Sequence, residues 1–169
     1  MKKTFLLTLL LAGLFQMDAQ NNIVKASVVF GNAGVQYERA LGKHFSVAGQ
    51  GGFAFVNISD RYGNNEFTTG VGYSAEARVY FSSRKGKMQG WHIGPAISFM
   101  DTKSDLPEKF KSTIYSVMTG SQWKFKSNLT LEFVLGVGHK ESQYDGRTID
   151  GDDSLPVFVT GGVSVGYAF

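Results

Sequence analysis

The chain has 169 residues, enough for one domain, with 21 Gly against 3 Pro, aromatics at 14% and no Cys. Without Cys there can be no disulfide, no cysteine–zinc site and no lipid-modified N-terminal cysteine. A net charge of +3, with no basic patch interleaved with aromatics, argues against nucleic acid as a partner. Abundant Gly with scarce Pro suits strands with crowded faces, because an interior helical Gly costs about 1 kcal/mol against Ala.

The N-terminus reads as a secretory signal. Lys2 and Lys3 form a charged start, and Phe5–Phe15 is an apolar run shorter than the ~20 residues a membrane helix needs. Small Ala19 ends the segment, although Met17 stands where a smaller residue is usual. The expected division is residues 1–19 as a cleaved signal peptide and 20–169 as the mature domain. Cleavage would remove Lys2, Lys3 and Asp18 and lower the net charge by one.

Eight segments then alternate apolar and polar residues at a period of two. They are placed near Ile23–Phe30, Gly34–Leu41, Phe45–Val56, Phe67–Phe81, Trp91–Asp101, Ser112–Phe125, Leu129–Lys140 and Leu155–Phe169. The fourth and seventh alternate most cleanly. The sixth is weaker, with Thr119 and Ser121 on its otherwise apolar face. Connections alternate too. Leu41–His44, Ser82–Gln89 and Lys126–Asn128 are compact, whereas Asn57–Glu66, Thr102–Lys111 and Glu141–Ser154 are long and polar. Short turns on one rim and long loops on the other are the pattern of outer-membrane barrels. Tight Gly31–Ala33, on the long-loop rim, departs from it.

The apolar face is expected to point outward. The opposite face is mostly small residues with few charges, which suits a narrow lumen better than a solvated exterior. Aromatics gather at segment ends: Phe45, Phe81, Trp91, Trp123, Phe125, Tyr167 and Phe169 toward the short turns, Phe55, Phe67 and Phe99 toward the long loops. The chain thus reads as an all-β, eight-stranded, antiparallel up-and-down transmembrane β-barrel. Eight strands leave an interior that side chains just fill, so a general diffusion pore is not expected.

Threading the strands up and down places Lys25, Glu38, Glu76, Arg78, His92, Lys124 and Glu132 on the inward face of the short-turn half, with Gln36 and Gln122 beside them. Buried charges must pair, so these residues are expected to form a polar network that plugs the lumen. Arg39 falls on the apolar face close to the rim, where a long side chain can snorkel. Val157–Phe169 is expected to pair with Ile23–Phe30 and close the barrel. Its Tyr167 and Phe169 are the candidate insertion signal, read by the barrel-assembly machinery.

Gln36-Tyr37-Glu38-Arg39-Ala40-Leu41 resembles the tyrosine-glutamate-arginine segment of a family of small, uncharacterised bacterial outer-membrane β-barrel proteins. Glu76-Ala77-Arg78-Val79-Tyr80-Phe81 and Gly90-Trp91-His92-Ile93-Gly94-Pro95 resemble its later strands. The likeness covers most of Asn22–Phe169, and the architecture resembles the barrels of outer-membrane proteins A and X. It implies a fold and an outer-membrane location, with no activity to carry over.

The function expected is non-enzymatic: a monomer in outer-membrane lipid, without cofactor or metal, structural or acting through its extracellular loops. Two rival readings are weighed beside it. Gly138-His139-Lys140-Glu141-Ser142 is similar to the histidine–serine pairs of barrel lipid A deacylases, but a spacing of three puts the pair on opposite faces unless a bulge intervenes. A secreted soluble barrel binding an apolar ligand would need its aromatic face inward around an empty cavity. The acidic Tyr144–Asp153 stretch is rich in oxygen ligands but lacks the spacing of a calcium-binding EF-hand loop.

Overall fold

The computed structural model describes residues 21–29, 31–59, 65–81, 86–103, 109–144, 147–148 and 157–169. The expected signal peptide and most of the acidic stretch lie outside these. The strands are β1 (Asn22–Val29), β2 (Asn32–Ala40), β3 (Phe45–Ser59), β4 (Asn65–Tyr80), β5 (Gly90–Lys103), β6 (Lys109–Lys124), β7 (Leu129–Tyr144), the two-residue β8 (Arg147–Thr148) and β9 (Val157–Ala168). Each of β1 to β7 pairs antiparallel with the next, β7 pairs with β9, and β9 pairs with β1. The sheet therefore closes into an eight-stranded barrel, with β8 folding back on the end of β7.

Closure runs from Val29↔Gly162 to Ile23↔Ala168. It continues through the last residue, where Asn22 and Phe169 exchange backbone hydrogen bonds of 3.1 and 2.9 Å. The ring leaves no open edge, so every wall strand has two hydrogen-bonded neighbours.

The strands on the long-loop side run further than hydrophobic alternation indicated. β3 and β4 pair up to Ser59↔Asn65, β5 and β6 up to Lys103↔Lys109, and β6 and β7 up to Phe110↔Tyr144. Hydrogen-bonded ladders persist there although polar residues such as Asn57, Ser59, Asn65 and Gln143 interrupt the alternation. The β1–β2 turn is tight and low on that side. Gly31 takes φ 74°, a left-handed value suited to Gly, and its carbonyl accepts from Phe55 N–H at 2.8 Å. At the other rim the β6–β7 turn ends on Asn128 with φ 62°, a conformation Asn tolerates better than most residues.

Burial alternates residue by residue, as in β7, where Leu129, Phe133, Leu135 and Val137 are exposed and Thr130, Glu132, Val134 and Gly136 are buried. The wall is inside-out relative to a soluble protein. Phe53 is 76% and Val159 70% exposed, while Lys25, Glu38 and Arg78 are at most 1%. Phe45, Phe81, Trp91, Trp123, Phe125 and Tyr167 are exposed at the short-turn rim. Toward the long loops the exposed aromatics among the described side chains are Phe53, Tyr73, Phe99 and Tyr115. Phe55 is only half-buried there, and the side chains of Phe67 and Phe158 lie outside the described residues. Valines and leucines fill the band between. An apolar exterior this continuous far exceeds the patch of a few hundred Å² that soluble monomers expose. It also runs against a soluble ligand-binding barrel, which needs its aromatics inside.

The two weak positions of β6 are accommodated locally. Thr119 Oγ1 donates to the His92 carbonyl at 3.0 Å. Ser121 is buried, flanked in register by Trp91 and Phe133.

Candidate functional site: the lumen plug

Inward-facing positions of all eight wall strands meet in the short-turn half. β1 supplies Lys25, β2 Glu38, β3 Ser46, β4 Glu76, Arg78 and Tyr80, β5 His92, β6 Gln122, β7 Glu132 and β9 Ser164. Lys25 Nζ donates to Glu38 Oε2 at 2.6 Å, to Glu132 Oε2 at 2.7 Å and to Gln122 Oε1. Arg78 binds three carboxylates: Glu38 at 2.9 Å, Glu132 at 2.7 Å and Glu76 at 2.7 Å. Glu38 also accepts from the hydroxyls of Ser46 at 2.6 Å and Tyr80 at 2.7 Å. Glu132 accepts from Ser164 at 2.8 Å.

The His92 ring stands between two carboxylates. Its Nε2 lies 2.9 Å from Glu132 Oε1 and its Nδ1 lies 4.0 Å from Glu76 Oε1, neither aligned as a hydrogen bond. One face of the ring leans on Tyr80, with ring centroids 5.1 Å apart.

The arrangement follows from pleat and tilt. A period of two sets which residues enter the lumen. The tilt of a barrel strand brings diagonal neighbours to one height: Lys25 pairs in register with Gln36, yet its ammonium reaches Glu38, two residues further along β2. A slip of one residue in any wall strand would turn its member of the network out of the barrel. Lys25 and Arg78 face three carboxylates, and of the five only Glu76 keeps some exposure. Replacing such a set by apolar groups is often neutral, but breaking it by removing one partner costs about 3–5 kcal/mol.

The plug is bounded on both sides. Toward the short turns lies an apolar floor of Ile23, Ala40, Tyr80, Met88 and Ala168. Met88 belongs to the β4–β5 turn. It is buried with φ 52°, and its carbonyl accepts from Gln122 Nε2 at 2.6 Å, so the turn is latched into the mouth. Toward the long loops lies a cavity of about 40 Å³, whose lining includes Ser27, Asn32, Gln36, Gln50 and Glu76. It has room for roughly three waters, the partners that buried polar atoms in such a space call for. Beyond it Ala54, Met100 and Ile114 cluster across the lumen.

Lys25, Glu38, Glu76, Arg78, His92, Gln122 and Glu132 thus come together. Lys124 stands apart at the short-turn mouth, in a cup outside the Met88 floor. Face alone placed it with the others, but the latched turn divides it from them. Gln36 sits in the cavity wall, above the ion pairs. Tyr80, Ser46, Ser164 and Met88 are additions that the sequence reading missed. The first three had the inward parity to be found. Met88, in a turn, carried no periodic signal. Arg39, one residue before the end of β2, lies at the rim. Tyr167 and Phe169 lie at the closing seam, paired with Val24 and Asn22.

β7 keeps one unbroken register against β6 from Thr130 to Tyr144. No bulge therefore brings positions 139 and 142 onto one face. His139 is half-exposed on the outer wall, 4.0 Å from Glu141.

Residues 4–155 match the model of a family described as a protein of unknown function, DUF3575. The chain belongs to that family. No curated protein matches it. Among solved structures this DUF3575 barrel is similar to CarO of Acinetobacter baumannii, with a TM-score of 0.53 at 10% identity, covering 89% of this chain and 98% of that one. It is also similar to CarO2 of the same organism, with a TM-score of 0.58 at 12% identity, covering 90% and 100%. At such identities the likeness is one of fold.

Proposed function

We propose that the chain is an integral outer-membrane β-barrel whose lumen is closed by the ion-pair plug, and that it acts as a structural or interaction protein rather than an enzyme. In this reading residues 1–19 are a signal peptide removed on export, and the mature chain is a monomer in outer-membrane lipid. The closing strand, with Tyr167 and Phe169, is what the assembly machinery reads. Interactions are made by the loops of the long-loop rim.

The observation that carries the reading is the inversion of the wall: apolar side chains are exposed around the barrel while Lys25, Glu38 and Arg78 are sealed inside. Water penalises the first arrangement and a bilayer rewards it. The solved barrels of similar fold support the same assignment. The plug, floored by Met88, argues for a barrel that holds its shape rather than one that passes solutes.

The test is fractionation of expressing cells, followed by denaturing electrophoresis of the membrane fraction with and without boiling. The expected result is recovery with the outer membrane and a mobility that changes on boiling. Recovery as a soluble periplasmic or secreted protein would overturn the reading. Deletion of Phe169 addresses the insertion signal, and unchanged assembly would remove that role.

A further inference from the structure

Outside the Met88 floor the short-turn mouth forms a cup of about 520 Å³. Its side-chain lining includes Asn21, Lys87, Gln89, Lys124, Lys126 and Asn128, and none of its described lining residues carries a carboxylate. The cup is built rather than fortuitous. Its β4–β5 wall is latched by the Met88–Gln122 hydrogen bond, and Lys87 Nζ spans the mouth to Asn21 Oδ1 at 2.9 Å. Its β6–β7 wall is a tight turn in which Asn128 N–H donates to the Phe125 carbonyl at 3.0 Å.

The sequence sets this rim apart from the other. The short connections carry Lys43, Arg84, Lys85, Lys87 and Lys126 and no acidic residue. The long connections carry Asp60, Glu66, Asp105, Glu108, Glu141, Asp145, Asp150, Asp152 and Asp153 among fewer bases. The sequence thus sorts charge between the two sets of connections, and among the described residues Lys87, Lys124 and Lys126 line the concavity.

Lysines spread around a rim would each be solvated separately. Three on the wall of one cup add their potentials in one concavity, which favours an anion seated among them. Phosphate suits the donors present: it brings up to two negative charges and several acceptor oxygens to ammonium and amide groups, and Lys is a common point-charge phosphate binder. The volume lies within the 300–1,000 Å³ range of small-molecule sites. The plug beneath means that the ligand is held, not passed.

We propose that the short-turn mouth is a binding site for a phosphate-bearing anion, with Lys87, Lys124 and Lys126 as its cationic ligands. The source is either a soluble phosphate compound entering along the barrel axis or the headgroup of an anionic phospholipid reaching around the rim beside Phe125. The site goes beyond the membrane assignment and does not need it, because the soluble arm is tested in detergent.

The full chain, folded in a non-ionic detergent, is titrated with inorganic phosphate by calorimetry at low salt. In a second arm the protein is placed in nanodiscs of phosphatidylcholine with a minor share of phosphatidylglycerol, and enrichment of phosphatidylglycerol around it is measured. Saturable phosphate binding identifies the soluble source; enrichment without phosphate binding identifies the lipid. In either arm Lys87→Gln/Lys124→Gln/Lys126→Gln is expected to weaken binding about tenfold or more. Lys111→Gln, near the other rim, should leave it unchanged. Lys126→Gln alone, in an exposed turn, keeps the test interpretable if the triple variant does not fold, and should weaken binding several-fold. Binding of neither probe, or equal binding by the variants, would overturn the proposal.

Discussion

The two halves of the barrel interior are filled by opposite means. In the short-turn half, charged, amide and hydroxyl side chains from every wall strand converge on one set of ion pairs and hydrogen bonds. Above it, uncharged side chains such as Ser27, Gln36, Gln50 and Ser98 line a cavity of about 40 Å³ that has Glu76, Arg78 and Glu132 on its plug side and Ala54, Met100 and Ile114 clustered toward the long loops. The outside of the wall is the same in both, an alternating apolar surface. Inward parity therefore settles only that a residue enters the lumen. What it meets there depends on height along the axis, and the dense half is where a shift of register would be most costly.

The sharpest way to break this comparison is Glu38→Ala. It leaves Lys25, Arg78, Ser46 and Tyr80 without an acceptor they share. The expected loss is about 3–5 kcal/mol, read from denaturant unfolding in detergent or lipid. Lys25→Met combined with Glu38→Gln should cost less than the two single changes added together, because each single change strands a charge. Simple additivity would mean that the plug is not a coupled unit.

Next in size is the wall itself. Leu135 is 64% exposed on β7. Leu135→Arg is expected to cost about 2–4 kcal/mol in a bilayer. In a soluble barrel an exposed Leu→Arg change would be close to neutral, so the sign and size separate the two readings.

A smaller effect tests how tightly the dense half is packed. A Cβ built on Gly94 would lie 1.6 Å from the Ala77 carbonyl oxygen, at a point where the β4–β5 ladder already skips from Glu76↔Ala96 to Val79↔Ile93 around Pro95. Gly94→Ala should destabilise by roughly 1–3 kcal/mol, since backbone must move to admit it. Gly42, in the β2–β3 turn, has nothing within 4 Å of a built Cβ, and Gly42→Ala should leave the unfolding midpoint almost unchanged.

Smallest of all should be Ser98→Ala, in the cavity wall of the loose half. Its expected effect is within about 0.5 kcal/mol. A loss comparable to Glu38→Ala would erase the distinction between the halves.

Much of the fold was legible because pleat converts sequence parity directly into inside and outside. Phe133 and Leu135 against Glu132 and Val134 needed no other information. Closure of β9 on β1 was legible from the architecture, since an up-and-down barrel pairs its last strand with its first. Depth was legible only to the half of the barrel, because the finer height depends on strand tilt, which no single strand encodes. Ser46, Tyr80 and Ser164 were on the correct face, but nothing in the sequence put their hydroxyls at the height of Glu38 and Glu132. Lys124 was misplaced among them because a turn residue, Met88, folds into the lumen below it.

Strand ends on the long-loop side were underestimated for a different reason. At Asn57 and Ser59, at Asn65 and Glu66, and from Glu141 to Gln143 polar residues break the alternation. The hydrophobic signal stops there while the hydrogen-bonded ladder continues.

The central claim is that one face of each wall strand meets lipid and the other is sealed, and β7 tests it most directly. Because the chain has no native Cys, single cysteines at positions 131 to 137 can be spin-labelled one at a time in a bilayer. Labels at Leu131, Phe133, Leu135 and Val137 should be accessible to oxygen dissolved in lipid and shielded from a water-soluble nickel reagent, with those at Glu132, Val134 and Gly136 shielded from both. Strong collision of the odd-numbered labels with the water-soluble reagent would contradict the account.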